Sequence, residues 1–122
     1  IPMVIGLAGW TYTEGITITI ANWAGGDAGA FITLWGVGQA AQIMFSLGFT
    51  AAFLAIASRD EYNSTLAYIA AAIALLATIL SIVQLVTNDG TTAATMSGIV
   101  GITYIIHTIY AIYLGRGLLA RA

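Results

Sequence analysis

The residue best placed to do chemistry is the single histidine, His107, inside the long uncharged run Gly90–Gly115. An ionisable side chain within an apolar helix is a functional candidate, because its burial costs free energy. Tyr104 and Tyr110 lie one turn to either side and near the same helical face. This pattern fits an axial ligand to haem or a chlorophyll-type pigment, and it also fits a neutral imidazole bonded to a neighbouring helix. A second imidazole ligand would have to come from another subunit.

Glu14 is the second ionisable candidate, and it lies within the apolar residues 3–24. A carboxylate in a first membrane helix is typical of proton-coupled sites in small four-helix drug exporters. A protonated carboxyl group bonded to Thr13, Thr17 or a nearby glutamine explains the residue equally well. Transport through Glu14 is therefore one hypothesis for this chain, and an ordinary buried carboxyl group is the other.

Other site chemistry is missing from the sequence. There is no cysteine, and the single histidine and five acidic residues are too dispersed for a metal site. No nucleophile–base pair and no phosphate-binding loop is present. We therefore expect no enzyme activity, no metal and no cofactor, with His107 as the one candidate ligand. Three basic residues and a net charge of −2 provide no basic patch for reading nucleic acid.

The composition identifies the surroundings of the chain. Sixty per cent of its 122 residues are apolar and 7% are charged, against about 25% charged residues in soluble proteins. A soluble domain needs a polar surface, and this few charged residues cannot supply one. Most of the surface must therefore face lipid or other copies of the protein. The length suits one domain, residues 1–122.

Four apolar segments separated by short polar hinges predict an all-α, antiparallel four-helix bundle that is apolar outside as well as inside. The predicted helices cover residues 3–24, 28–58, 64–87 and 92–119, and the hinges are Gly25–Asp27, Arg59–Asn63 and Asn88–Gly90. The second helix would reach about 45 Å, longer than the roughly 30 Å hydrocarbon core of a bilayer. Asn63 or Ser64 is expected to cap the third helix, and Thr91 or Thr92 the fourth.

The first segment is ambiguous, because Ile16–Ile20 alternates β-branched residues with a period of two, which in water favours a strand. In lipid an isolated strand leaves its backbone groups unpaired, so we predict a helix. An interfacial arm lying along the other helices is the alternative.

Small residues recur on the second, third and fourth helices and allow the backbones of packed helices to approach closely. The set predicted to pack helices or assemble copies is Gly36, Ala40, Gly48, Ala52, Ala67, Ala71, Gly98, Gly101, Ala111 and Gly115. Packing within one bundle and packing between copies both explain this pattern.

The charges predict how the helices are oriented in a membrane. If all four helices cross, three arginines share one side with the N-terminus, while Asp27 and Asp89 lie on the other side. By the positive-inside rule the arginine side and both termini face the cytoplasm. An interfacial aromatic belt, rather than a binding pocket, is indicated by Trp10, Trp23 and Trp35 with Tyr62 and Tyr113. The inward charges are Arg59, Arg116 and Arg121.

The four apolar segments, the three hinges and the lack of site chemistry together resemble the major capsid proteins of tailed spindle-shaped archaeal viruses. The resemblance is in overall character and involves no residue motif. It implies a structural protein that enters the host membrane and then forms a virion shell by packing many copies through their helices. The implied partners are other copies and, at some stage, a lipid membrane. Nucleic-acid contact is expected to be weak and non-specific at most.

The alternative interpretation is a small accessory transmembrane subunit of a respiratory, photosynthetic or oxygenase complex in the cell membrane, with His107 facing a cofactor. A small proton-coupled transporter using Glu14 is a further alternative.

Overall fold

The computed structural model describes residues 1–2, 4–9, 11–13, 28–87 and 89–120, and from 28 to 32 it describes only the backbone. The described residues are almost entirely helical and contain no strand. Helix α1 covers the described residues 2, 4–9 and 11–13, and the three long helices are α2 (Ala28–Ala57), α3 (Ser64–Val86) and α4 (Gly90–Leu119). The predicted all-α, highly apolar class is confirmed. The predicted first helix beyond residue 13 and the hinge Gly25–Asp27 lie outside the described residues.

The hinge between α2 and α3 lies where the uncharged runs are interrupted. Backbone hydrogen bonds from Arg59 to Ile56 (3.0 Å) and from Tyr62 to Arg59 (3.2 Å) close the turn. Asn63 then caps α3, because its side-chain Oδ1 accepts a hydrogen bond from the backbone N–H of Leu66 at 3.1 Å. Of the two caps expected for this helix, the structure selects Asn63.

The start of α4 differs from the expectation. Helix α4 begins at Gly90, two residues before the predicted start, and its cap is Asp89 rather than Thr91 or Thr92. The carboxylate of Asp89 accepts hydrogen bonds from the hydroxyl and the backbone N–H of Thr92. These two bonds lower the pKa of Asp89, because they favour its charged form. A carboxylate at this position also interacts favourably with the helix dipole.

The core is made of small side chains that point inward from α3. Phe53 and Ala57 of α2 and Tyr110 of α4 pack against them. Large side chains of the same helix, such as Ile69 and Ile79, are about half exposed. Small residues therefore face the protein and large ones face outward, the reverse of a helix in a soluble protein. The buried alanines of α3 are Ala67, Ala70, Ala71, Ala74 and Ala77.

Contacts between α2 and α3 join late residues of one helix to early residues of the other. Nε2 of Gln42 donates a hydrogen bond to Oγ of Ser81 at 2.8 Å, whereas Phe53 packs with alanines near the start of α3. This pairing is consistent with antiparallel neighbours. The antiparallel order of the whole bundle stays a prediction.

Within the described residues, three helices are long and apolar enough to cross a membrane: residues Thr33–Ala57 of α2, all of α3 and all of α4. At 1.5 Å per residue, α3 is about 35 Å long and α4 about 45 Å, against a hydrocarbon core of roughly 30 Å. The length of α4 is enough to bring its ends into the headgroup regions. These dimensions are consistent with a membrane-associated protein.

Candidate functional site

His107 lies where α2, α3 and α4 meet, and it is 2% exposed. Its ring stacks on Phe49 of α2 with 5.3 Å between ring centroids and lies at the same distance from Phe53. Of the two tyrosines expected beside it, Tyr104 lies at 6.4 Å, while Tyr110 packs edge-on against Phe53. The histidine is thus held by aromatic side chains of the neighbouring helix.

The polar atoms of this cluster are not well paired. Neither ring nitrogen of His107 makes a hydrogen bond of ordinary geometry, although the backbone of Ala70 in α3 lies close enough to act on the ring. The hydroxyl of Tyr110 also lacks a partner within the described part of the chain. A buried donor or acceptor left unpaired costs about 1–3 kcal/mol. The cluster therefore holds its histidine chiefly by packing, and the backbone of Ala70 adds a weak polar contact.

The ring nitrogens of His107 are inaccessible to a metal or pigment in this conformation. Both ring nitrogens of His107 are shielded from the exterior. Metal coordination would bring an ion to about 2.1 Å from one nitrogen, and the nitrogens open onto no surface. In the described residues no three His, Cys, Asp or Glu side chains come together. Ligation by His107 would therefore need the helices to separate.

A cavity of about 500 Å³ lies beside this cluster, between α2 and α4. The hydroxyls of Ser46 and Tyr104, 3.2 Å apart, join the two helices at one end of it. Its walls are mainly aromatic and aliphatic, so it suits an apolar side chain or acyl chain. The lining residues are Phe45, Phe49, Tyr104, His107, Thr108, Ala111 and Ile112.

A second group of buried polar residues joins α2 and α3. Besides the bond between Gln42 and Ser81, Gln39 and Gln84 are buried, and Gln84 is 2% exposed. Oε1 of Gln39 and both amide atoms of Gln84 lack hydrogen-bond partners among the described residues. The sequence contained a signal for this cluster, because residues 39 and 42, like 81 and 84, are one turn apart and share a helix face.

A further cavity, here called the hinge cavity, lies between the hinge and the last turns of α4 and has a volume of about 520 Å³. It brings the predicted inward charge Arg116 beside the hinge that carries Arg59. The cytoplasmic location of this end stays a prediction, and Arg121 lies outside the described residues. The lining residues are Glu61, Tyr62, Asn63, Ile109, Ile112, Tyr113, Leu114, Arg116 and Gly117.

The predicted small residues separate into two groups. Ala67 and Ala71 of α3 are buried in the core, and Gly48 of α2 is also buried. Gly98 and Gly101 of α4 are exposed, and a Cβ added to either would meet nothing within 4 Å. Gly36 and Gly115 have the same open space, Ala40 and Ala111 are exposed, and Ala52 is half-buried.

A close contact between α1 and α2 was not recognised from the sequence. A Cβ on Gly6 of α1 would lie 2.6 Å from the carbonyl oxygen of Ala41 and 2.7 Å from Cα of Phe45. A Cβ on Gly9 would lie 2.9 Å from the Cβ of Ala41. The available signal was the spacing of Gly6 and Gly9, one turn apart in an apolar segment. Glu14, the proposed proton site, lies outside the described residues.

No protein-family model, no curated protein and no solved structure matches this chain.

Proposed function

We propose that this chain is a structural protein whose copies assemble side by side through their helices into a shell, such as a virion capsid. The observation that carries the proposal is the open surface at Gly98 and Gly101, where α4 presents bare backbone that no described residue covers. In lipid, helices associate chiefly by close packing, and exposed glycines are the residues that permit it.

The distribution of small residues supports contact between copies. Those of α3 are already used inside the bundle, whereas those of α4 are not. Ala94 lies one turn before Gly98 and is also exposed, so the small-residue face extends along the first half of α4. A second helix packed on this face would bury backbone that otherwise meets lipid.

The positions of the charged residues determine how such a shell would contact an enclosed genome. Arg116 and the hinge carrying Arg59 lie around one cavity, so an assembly with parallel copies would collect these arginines on one surface. Asp60 and Glu61 offset two positive charges in the hinge. Contact with an enclosed genome would then be weak, salt-sensitive and independent of sequence.

The test is to block the face without changing its polarity. We expect Gly101→Leu and Gly98→Leu to abolish assembly, seen as loss of large particles by sedimentation and electron microscopy after detergent removal. Ala72→Leu, at an exposed position on α3, is the matched control and should assemble like the wild type. Gly48 is unsuitable because it is buried within the chain. Wild-type assembly by both glycine variants would refute the proposal.

The second candidate is an accessory membrane subunit in which His107 faces a cofactor of a neighbouring chain. It is favoured by the aromatic cavity that His107 lines, although ligation by the shielded ring nitrogens would need the helices to separate. The two candidates differ in colour and composition. We expect a colourless particle with essentially one polypeptide, whereas stoichiometric partners and a Soret or near-infrared band lost in His107→Ala would establish the subunit.

A further inference from the structure

We propose that the hinge cavity binds one membrane phospholipid, with its phosphate on Arg116 and an acyl chain along the exposed isoleucines of α4. This inference does not depend on self-assembly, because the small-residue face lies in the first half of α4 and the hinge cavity lies at its end. The inference rests on three features: the polarity of the cavity lining, the position of the cavity across the bilayer, and the row of exposed isoleucines that leads to it.

The cavity is polar at one end and apolar at the other. Glu61, Tyr62 and Asn63 from the hinge and Arg116 from α4 line the polar end, while Ile109 and Ile112 line the apolar part. Arginine binds phosphate through parallel, charge-assisted hydrogen bonds. Because the acidic Glu61 lines the same cavity, a head that carries an ammonium beside its phosphate is a better match than a purely anionic head.

The position of the cavity across the bilayer fits a lipid headgroup. Arg116 lies in the last turn of the roughly 45 Å helix α4, and the charged hinge lies beside it. Since α4 exceeds the hydrocarbon core by about 15 Å, this level corresponds to the interface. Tyr62 and Tyr113, both lining the cavity, are of the type enriched at that depth.

A stripe of exposed apolar side chains leads from Arg116 toward the membrane centre. Ile105, Ile109 and Ile112 follow at spacings of three and four residues and share one face of α4, with Ile102 at the far end. From Ile102 to Arg116 the helix rises about 21 Å, which exceeds the roughly 15 Å hydrocarbon depth of one leaflet. An acyl chain lying on this stripe would therefore have side-chain contacts along its full length.

The experiment is native mass spectrometry of the full chain in detergent with added phosphatidylethanolamine, phosphatidylglycerol or inorganic phosphate. We expect one phosphatidylethanolamine per chain and weaker binding of phosphatidylglycerol. Arg116→Gln should lower the affinity at least about tenfold, because it removes the charge-assisted hydrogen bonds to the phosphate. Ile109→Trp should reduce binding by a similar factor, because the indole would fill the apolar part of the cavity.

Two controls isolate the site. Arg59→Gln removes one charge from the same end of the molecule outside the cavity lining, and Ile79→Trp adds an indole to an exposed position on α3. Both should bind lipid like the wild type, and circular dichroism should show that all variants are helical. The proposal is overturned if the wild type retains no lipid, or if Arg116→Gln and Ile109→Trp bind it normally. It is equally overturned if inorganic phosphate binds as tightly as the phospholipid, which would indicate a simple anion site.

Discussion

His107 and Gln84 are deeply buried side chains whose hydrogen-bonding atoms all lack a partner of ordinary geometry among the described residues. In an apolar environment such groups are costly, and a phenylalanine or a methionine would fill similar space without unpaired atoms. Phe49 and Phe53 show that the pocket around the imidazole already suits an aromatic ring. Within a single chain, then, the histidine contributes shape more than polarity.

Substitutions at His107 separate these contributions. We expect His107→Ala to lower the free energy of unfolding by about 3 kcal/mol, because it leaves a cavity between three helices. His107→Phe should raise it by about 1 kcal/mol, because the ring contacts persist and the unpaired nitrogens are removed. Unfolding by a denaturing detergent, followed by circular dichroism, measures both values. Equal destabilisation by the two substitutions would mean that the imidazole has a specific partner in the native assembly.

At the scale of the helices, the sequence predicts where each helix lies in the chain better than it predicts which helix faces pack together. The bounds of the three long helices follow from uncharged runs and polar hinges, and the structure differs from them by at most two residues. Asp89 was missed as a cap because Thr91 and Thr92 carry equally suitable hydroxyls next to it. Which of these side chains faces the free N–H groups depends on where the backbone turns.

The sequence also could not predict whether each small-residue face points into the bundle or outward. Ala67 and Ala71 have the same spacing as Ala94 and Gly98, yet the first pair is buried and the second exposed. In a soluble protein polarity distinguishes the two faces of a helix. Lipid is as apolar as a neighbouring helix, so that signal is lost. The same loss concealed the role of Gly6 in the approach of α1 to α2.

A pair of glycine substitutions tests that approach. In Gly6→Ala the new methyl group would clash with the backbone of α2 at Ala41 and Phe45, so α1 should detach. Gly36→Ala has open space and should be neutral or slightly stabilising, since alanine favours a helix by about 1 kcal/mol over glycine. Proteolysis of the N-terminal segment in detergent measures detachment. Equal protection of both variants would contradict the packing of α1 described above.

At the scale of the whole molecule, charge and length determine how the chain lies in a membrane. The hinge with Arg59 and the last turn of α4 meet at one end, and Asp89 marks the short connection between α3 and α4. A helix of 23 residues separates the hinge from that connection. If α3 crosses the bilayer, the two connections must lie on opposite surfaces.

Single cysteines test this arrangement directly, because the native chain has none. We expect Arg59→Cys and Asp89→Cys to react with a membrane-impermeant reagent from opposite faces of a sealed vesicle. Glu61→Cys, in the same hinge as Arg59, should react from the same face as Arg59→Cys. Reaction of positions 59 and 89 from one face would exclude a transmembrane α3.

The placement of small residues inside and large residues outside also bears on how stability varies with temperature. The heat capacity of a soluble protein increases strongly on unfolding, because apolar side chains become hydrated. Here the large aliphatic groups of α3 are already exposed in the folded state, and separating the helices within a bilayer would expose the buried alanines and the aromatic cluster around His107 to lipid rather than to water. The enthalpy of separation should then change little with temperature. The stability curve would be nearly straight, without the low-temperature decline that leads soluble proteins to cold denaturation.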